Sequence, residues 1–306
     1  MTGPHRTIDL RKTPSADNKV THGSTSSTRR DAQPLGPHAI AFMTCVNNET
    51  QYGICLRYVN ALQVPWGHTV ETIAVFGATS MAEGYQRAME ASTARYKIYL
   101  HQDVYLVYRG LLPELVRLFR TYPRLGMIGV VGTTRMPTKG VWWVSKFHCF
   151  GRLWEYRRET GFPASFLGRR LHVSRFRSFV GDYLPAVAVD GLFIVTQYDL
   201  PWSNVVGGFM LYEQVHAAEF IKTGLEVGIA RQEAIWCLHW GPLQERPVEL
   251  RERREVELER RAATFRRHYD AYIGLPARRL YEQHRGAAPW RQSWAAEAPA
   301  RGEGTS

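Results

Sequence analysis

The chain has 306 residues, of which 44% are hydrophobic and 12% aromatic, enough for a sizeable core and inconsistent with a low-complexity or wholly disordered protein. Its formal net charge is +11, but no apolar run approaches the ~20 residues that span a bilayer, so a transmembrane helix is not expected. The four cysteines (Cys45, Cys55, Cys149 and Cys237) form no CxxC pair, and the polar N-terminus lacks an apolar signal core. Together these features predict free thiols and a cytoplasmic protein.

Residues 1–37 are rich in Ser, Thr, Arg, Pro and Asn, with almost no aliphatic periodicity, which predicts a disordered leader. Ala39 to Val46 is a short apolar run suited to a strand covered on both faces. Tyr52, Cys55, Leu56, Val59 and Leu62 then recur at helical spacing, and Val70 to Phe76 reads as the next strand. Two strands flanking a helix make a βαβ unit. Ser80 followed by Glu83 matches a capping box, and Met81, Tyr85, Ala88 and Met89 share one helical face.

The next strand, Tyr96 to Leu100, runs directly into His101, Gln102 and Asp103. Ligands of open α/β sheets sit at the carboxyl ends of strands. Asp103 is therefore placed to anchor a hard divalent cation holding phosphates, Mg²⁺ or Mn²⁺, although an Asp in this position also suits a turn or helix cap. Leu111 to Tyr122 reads as a helix, and Leu125 to Gly132 as a strand. Val187 to Thr196 reads as another strand, Phe209 to Phe220 as a helix and Ala234 to Gly241 as a last short strand. This alternation predicts a three-layer α/β/α sandwich on a mainly parallel sheet over residues 38–243. A docked helix lies within a C-terminal extension at 244–285, and disorder follows over 286–306.

The pattern loosens between Met136 and Pro185, where residues 146–177 hold eight basic and two acidic side chains interleaved with aromatics. We read 146–185 as a basic, aromatic insertion, either a covering surface or a place where sugars, bases or lipid headgroups could stack. The rest of the body is close to neutral, which disfavours nucleic acid as the main partner.

The stretch from Ser80 to Val104, with its SMAEGYQRAM helix and YKIYLHQDV strand, closely resembles glycosyltransferase-like family 2 proteins of the streptomycin-biosynthesis type. DGLFIVTQYDLPW (190–202) and WCLH (236–239) extend the resemblance from about Ala39 to His239. It implies a GT-A-like fold that moves a sugar from a nucleotide-diphosphate sugar donor to an unknown acceptor (glycan, lipid or small molecule), with help from a divalent metal. It also nominates Thr44, Val46, Asn47, Glu49, Gly77, Ser80, His101 and Gln102 as donor-pocket residues, and Asp103 with His239 as metal ligands. Gly77-Ala78-Thr79 stands where relatives usually carry acidic residues that contact the nucleoside. Glu213 matches the base of inverting members, within Met210-Leu211-Tyr212-Glu213 where relatives carry His-Phe-Tyr-Asp, while Asp103 completes the catalytic pair. His101 occupies the place of the first carboxylate of the DxD metal motif of ordinary family 2 members, which with the altered 210–213 segment leaves one alternative, a donor-binding or assembly protein without catalysis; the basic insertion leaves another, a membrane or nucleic-acid binder.

Overall fold

A run such as Ala39–Val46, apolar on both faces of the pleat, is stable only inside a sheet. In the computed structural model, which describes residues 3–12, 38–145, 147–158, 169–175, 177–241 and 248–286, it lies there. The strands of the first sheet are β1 (His5–Asp9), β2 (Ala39–Val46), β3 (Thr69–Phe76), β4 (Tyr96–Leu100), β6 (Leu125–Gly129), β10 (Tyr183–Pro185), β12 (Phe193–Thr196) and β13 (Glu226–Ala230). Their order is β1-β3-β2-β4-β12-β6-β13-β10, and four of the seven neighbouring pairs are parallel. The second sheet, β11-β7-β8-β14-β5, uses β5 (Val104–Leu106), β7 (Val131–Thr133), β8 (Cys149–Arg158), β11 (Ala188–Val189) and β14 (Cys237–His239), with β9 (Arg169–Arg175) antiparallel to β8. The α/β class with a mainly parallel main sheet is as expected.

Helices α1 (Glu49–Asn60), α2 (Met81–Glu90), α3 (Leu111–Thr121) and α4 (Tyr212–Lys222) follow from local chemistry. Asn48 caps α1 by accepting the Gln51 N–H at 3.1 Å, and Ser80 caps α2 by accepting the Glu83 N–H at 3.1 Å. Glu83 reaches back to the Thr79 N–H at 2.7 Å, one residue before the cap itself. The apolar face of α2 (Met81, Tyr85, Ala88 and Met89) is buried, as its spacing predicts.

The chain passes from β4 in one sheet to β5 in the other through His101, Gln102 and Asp103. Two runs that read as single strands also cross between the two sheets: Leu125 to Gly132 divides into β6 and β7, and Val187 to Thr196 into β11 and β12. The last break is local: Asp190 Oδ1 accepts the Leu192 N–H at 3.0 Å, and a Cβ on Gly191 would stand 2.2 Å from the Tyr212 hydroxyl oxygen. The seam between the sheets therefore carries His101, Gln102, Asp103 and Asp190.

The sequence motifs around residues 96–103 and 190–202 are one structural unit. β12 pairs antiparallel to β4, and the His101 N–H donates to the Leu192 carbonyl at 3.1 Å. The buried Lys97 ammonium lies 2.7 Å from each Asp199 carboxylate oxygen and 2.8 Å from the Ala94 carbonyl. Trp202 stacks on His216 with ring centres 3.6 Å apart and meets Tyr99 edge-on at 4.8 Å.

Several expectations are corrected. The leader is not wholly without structure: His5–Asp9 pairs parallel to Thr72–Phe76, an edge strand too short and polar to show periodicity. Residues 13–37 lie outside the described residues. The helix expected from Phe209 starts at Tyr212, because Gly207, Gly208 and Leu211 all have positive φ, of 65°, 59° and 65°. The C-terminal extension contains two helices, α5 (Val248–His268) and α6 (Ala277–His284). Of the helical stripe Leu258, Ala262, Phe265, Tyr269 and Tyr272 expected over 245–273, Leu258 is partly buried and the rest are buried, but α5 ends at His268, so the two tyrosines lie beyond it; the Tyr281 hydroxyl accepts the Val227 N–H at 3.0 Å. The disorder expected beyond Gly286 falls outside the described residues, as do 146, 159–168 and 176 of the insertion. No described helix is long and apolar enough to cross a membrane, and all four cysteines are unpaired.

Candidate active site

A cleft of about 300 Å³ opens at the carboxyl ends of β2, β3 and β4. Of the residues expected to contact a donor, Val46, Asn47, Gly77, His101 and Gln102 line it, together with Asp103. Thr44 does not: it is buried within β2. Ser80 is buried as the cap of α2, and Glu49 is the exposed first residue of α1, outside the cleft lining. Cys45, Val75, Ala78, Met81 and Phe209 complete the wall. Phe209, although 56% exposed, carried no sequence signal, because it reaches the cleft through the positive-φ loop before α4.

Gln102 shapes the rim. Its side-chain carbonyl accepts the N–H groups of Asn47 and Asn48, each at 2.9 Å, and its amide donates to Asn47 Oδ1. These two N–H groups at the start of α1 are thus already engaged within the protein, and Gln102 fixes the turn that walls the cleft. Gly77 takes φ +74°, and a Cβ there would stand 2.4 Å from Cγ of Arg11, so the N-terminal segment rests against the same rim.

Asp103 Oδ2 lies 3.5 Å from His239 Nε2. β14 and β5 bring them together: His239 stands opposite Val104, and the Trp240 N–H donates to the Asp103 carbonyl at 2.8 Å. Burial raises the pKa of the Asp103 carboxyl, but the His239 and His101 imidazoles outweigh it, so Asp103 sits below the usual carboxylate range. Burial lowers that of His239, and Asp103, Asp190 and Glu155 together raise it above the ordinary histidine value. His101 differs: burial drives it down to about 4, so it is neutral, with Nε2 2.6 Å from the Tyr212 hydroxyl. It is tied to Tyr212 and has no hydrogen bond to Asp103.

A carboxylate and an imidazole 3.5 Å apart are donors of the kind a divalent cation takes beside phosphate oxygens and water. No group of three His, Cys, Asp or Glu side chains gathers around a common point among the described residues. Asp103 and His239 make a pair, not a group of three.

Glu213 lies in the first turn of α4, 4% exposed and outside the cleft lining. Its Oε1 accepts the Trp142 indole N–H at 3.1 Å, and burial pushes its pKa up to about 8. At neutral pH it therefore holds a proton. Asp190, unassigned from the sequence, is electrostatically coupled to His239 and also raised by burial. Its only sequence signal was its place in DGLFIVTQYDLPW, inside a run that reads as one strand.

Comparison with known proteins matches this arrangement to a family. A structural likeness covers 83% of this chain and 81% of a mannosyltransferase from Pyrobaculum calidifontis, PcManGT, solved with GDP-Man and Mn²⁺; identity is 13% and the TM-score 0.39. A search of curated proteins finds no match. The sequence model of the glycosyltransferase-like family matches residues 41–259, from the third residue of β2 into α5, and so takes in the cleft, Asp103, Asp190, Glu213 and His239. With that span matched, the chain belongs to the glycosyltransferase-like family.

Proposed function

We propose that this protein transfers a sugar from a nucleotide-diphosphate sugar to an acceptor hydroxyl, with the donor diphosphate seated at Asp103. The observation that carries this reading is Asp103, which lines the cleft at the carboxyl end of the central strand and has His239 Nε2 3.5 Å from its carboxylate, His239 itself lying outside the lining. A divalent cation bound there supplies charge neutralisation for the departing diphosphate. Asp103 would hold it as an ionised carboxylate, and His239 would offer Nε2 after giving up its proton. Gln102 keeps the Asn47 turn in place beside the nucleotide, and Phe209 covers the opposite wall.

The acceptor proton needs a base. Glu213 fills that role only after losing its own proton and being uncovered from Trp142; attack opposite the leaving group would then invert the anomeric carbon. A second reading, donor binding without transfer, is favoured by the burial of Glu213 away from the cleft.

Calorimetric titration with UDP, GDP, dTDP and CDP, with and without Mn²⁺, tests the proposal. One nucleotide should bind in a metal-dependent manner. Binding by none of the four contradicts a nucleotide-sugar site. Binding without consumption of the matching nucleotide sugar favours the second reading.

A further inference from the structure

Between residues 146 and 177 the sequence concentrates basic side chains for which the donor cleft has no use. The described part of this segment, with the end of β13, forms a separate hollow of about 410 Å³ lined by Gly151, Arg152, Arg177, Phe179, Arg231 and Gln232 among others. Three arginines line one space. Arg152 Nη2 donates to the Glu233 carbonyl at 2.8 Å. Arg177 Nη1 donates to the Phe147 carbonyl at 3.0 Å and lies 5.8 Å from the Phe150 ring centre. None of the three arginines forms an ion pair among the described residues. Asp182, whose carboxylate feels the Arg231 charge, is already engaged by Arg117 at 3.0 Å.

The floor of this hollow is rigid. Gln232 is 5% exposed; its amide donates to the Val130 carbonyl at 3.0 Å and the Arg152 carbonyl at 2.9 Å, and its Oε1 accepts the Trp236 N–H at 3.1 Å. Gly151 has φ +102°, and a Cβ there would stand 2.1 Å from the Val130 carbonyl oxygen. Arg152 and Arg231 thus rise from two segments cross-linked by one saturated amide.

We propose that this hollow is a second anion site, separate from the donor cleft, that binds a phosphoryl group. Guanidinium groups pair bidentately with phosphate oxygens. A single carboxylate would leave most of the positive charge of three arginines uncompensated, whereas a phosphate dianion or a diphosphate balances it better. Phe147 and Val180 flank the site, 71% and 96% exposed, so the phosphoryl group belongs either to a soluble molecule or to a lipid headgroup.

β8 carries the chain about 10 Å from Arg152 to Glu155, which pairs with His239. Three residues apart, Arg152 and Glu155 point to opposite faces of the strand, so the anion site is separate from Asp103 and His239, and the anion binding does not rest on the transfer reaction proposed above.

The test is titration of the full chain with pyrophosphate in EDTA, together with sedimentation with phosphatidylglycerol or phosphatidylcholine vesicles. Wild type should bind pyrophosphate or the anionic vesicles, and Asp103→Ala should bind equally well. Arg231→Gln, at an exposed position, should weaken binding about tenfold, and Arg152→Gln with Arg231→Gln by about 100-fold. Pyrophosphate binding unchanged in a Phe147→Ser, Val180→Ser variant identifies a soluble phosphate ligand. Binding to anionic vesicles alone, lost in that variant, identifies a headgroup. No binding to either probe overturns the proposal, as does equal binding by the arginine variants. Loss of binding in Asp103→Ala would show that the anion sits in the donor cleft, which also overturns it.

Discussion

Two charged pairs arise from one short stretch of chain, Lys97 to Asp103, and they differ in saturation. The Lys97 ammonium is closed: both Asp199 oxygens lie 2.7 Å away, and the Ala94 carbonyl takes a further N–H at 2.8 Å. The Asp103–His239 pair is open, at 3.5 Å, beside the cleft. A closed pair has no capacity left for a ligand and holds β4 to the segment after β12. An open pair is held by one longer contact, and its carboxylate still lines the cleft, as the proposed cation site requires. Charge type alone does not separate a structural pair from a functional one; geometric saturation does.

Breaking the closed pair should cost stability and leave affinity intact. Lys97→Ala removes a buried side chain and should lower unfolding stability by about 2–4 kcal/mol, measured by urea denaturation. Asp199 is half-exposed and stays solvated, which keeps the cost below that of a fully buried pair. Nucleotide affinity per folded molecule should not change. A loss of affinity without a loss of stability would merge the two pairs into one functional unit.

Glu213 sharpens the comparison through pH. Burial raises its folded pKa from 4.5 to about 8, so the folded state holds its proton over a range in which the unfolded chain has released it. Stability should therefore fall as pH rises from about 4.5 to 8. Glu213→Gln keeps an acceptor for the Trp142 indole N–H and does not titrate. It should leave stability near wild type at pH 4 and exceed it by about 1–3 kcal/mol at pH 8, read from melting temperatures across that range. A pH-independent difference would mean that Glu213 is ionised and solvent-accessible.

The smallest stability effect should come from the open pair. His239→Gln should change unfolding free energy by less than about 1 kcal/mol, since its ion-pair partner is partly exposed. It should weaken Mn²⁺ binding in the presence of nucleotide about tenfold.

The sequence carried much of this. Fully apolar runs such as Ala39–Val46 allow only an interior strand, and the stripe Ala262, Phe265, Tyr269, Tyr272 marked the docked face of the C-terminal helix and of the segment after it. Asp103 was legible because it ends an apolar strand. Asp190 was not, since the chain shows an unbroken run there and the change of sheet depends on the approach of Tyr212 to Gly191. Phe209 was invisible because its place depends on backbone dihedrals at Gly207, Gly208 and Leu211. The burial of Glu213 depends on Trp142, a residue 71 positions away. The N-terminal strand has no pattern of its own and exists only because β3 offers an edge to pair with.

The most direct test is Mn²⁺ titration of the protein saturated with the nucleoside diphosphate that binds, comparing wild type with Asp103→Asn. One Mn²⁺ per chain should bind to wild type only with nucleotide present, and Asp103→Asn should weaken it about 100-fold while melting near wild type. Equal Mn²⁺ affinity in the two proteins would contradict the assignment of the open pair as the donor-diphosphate site.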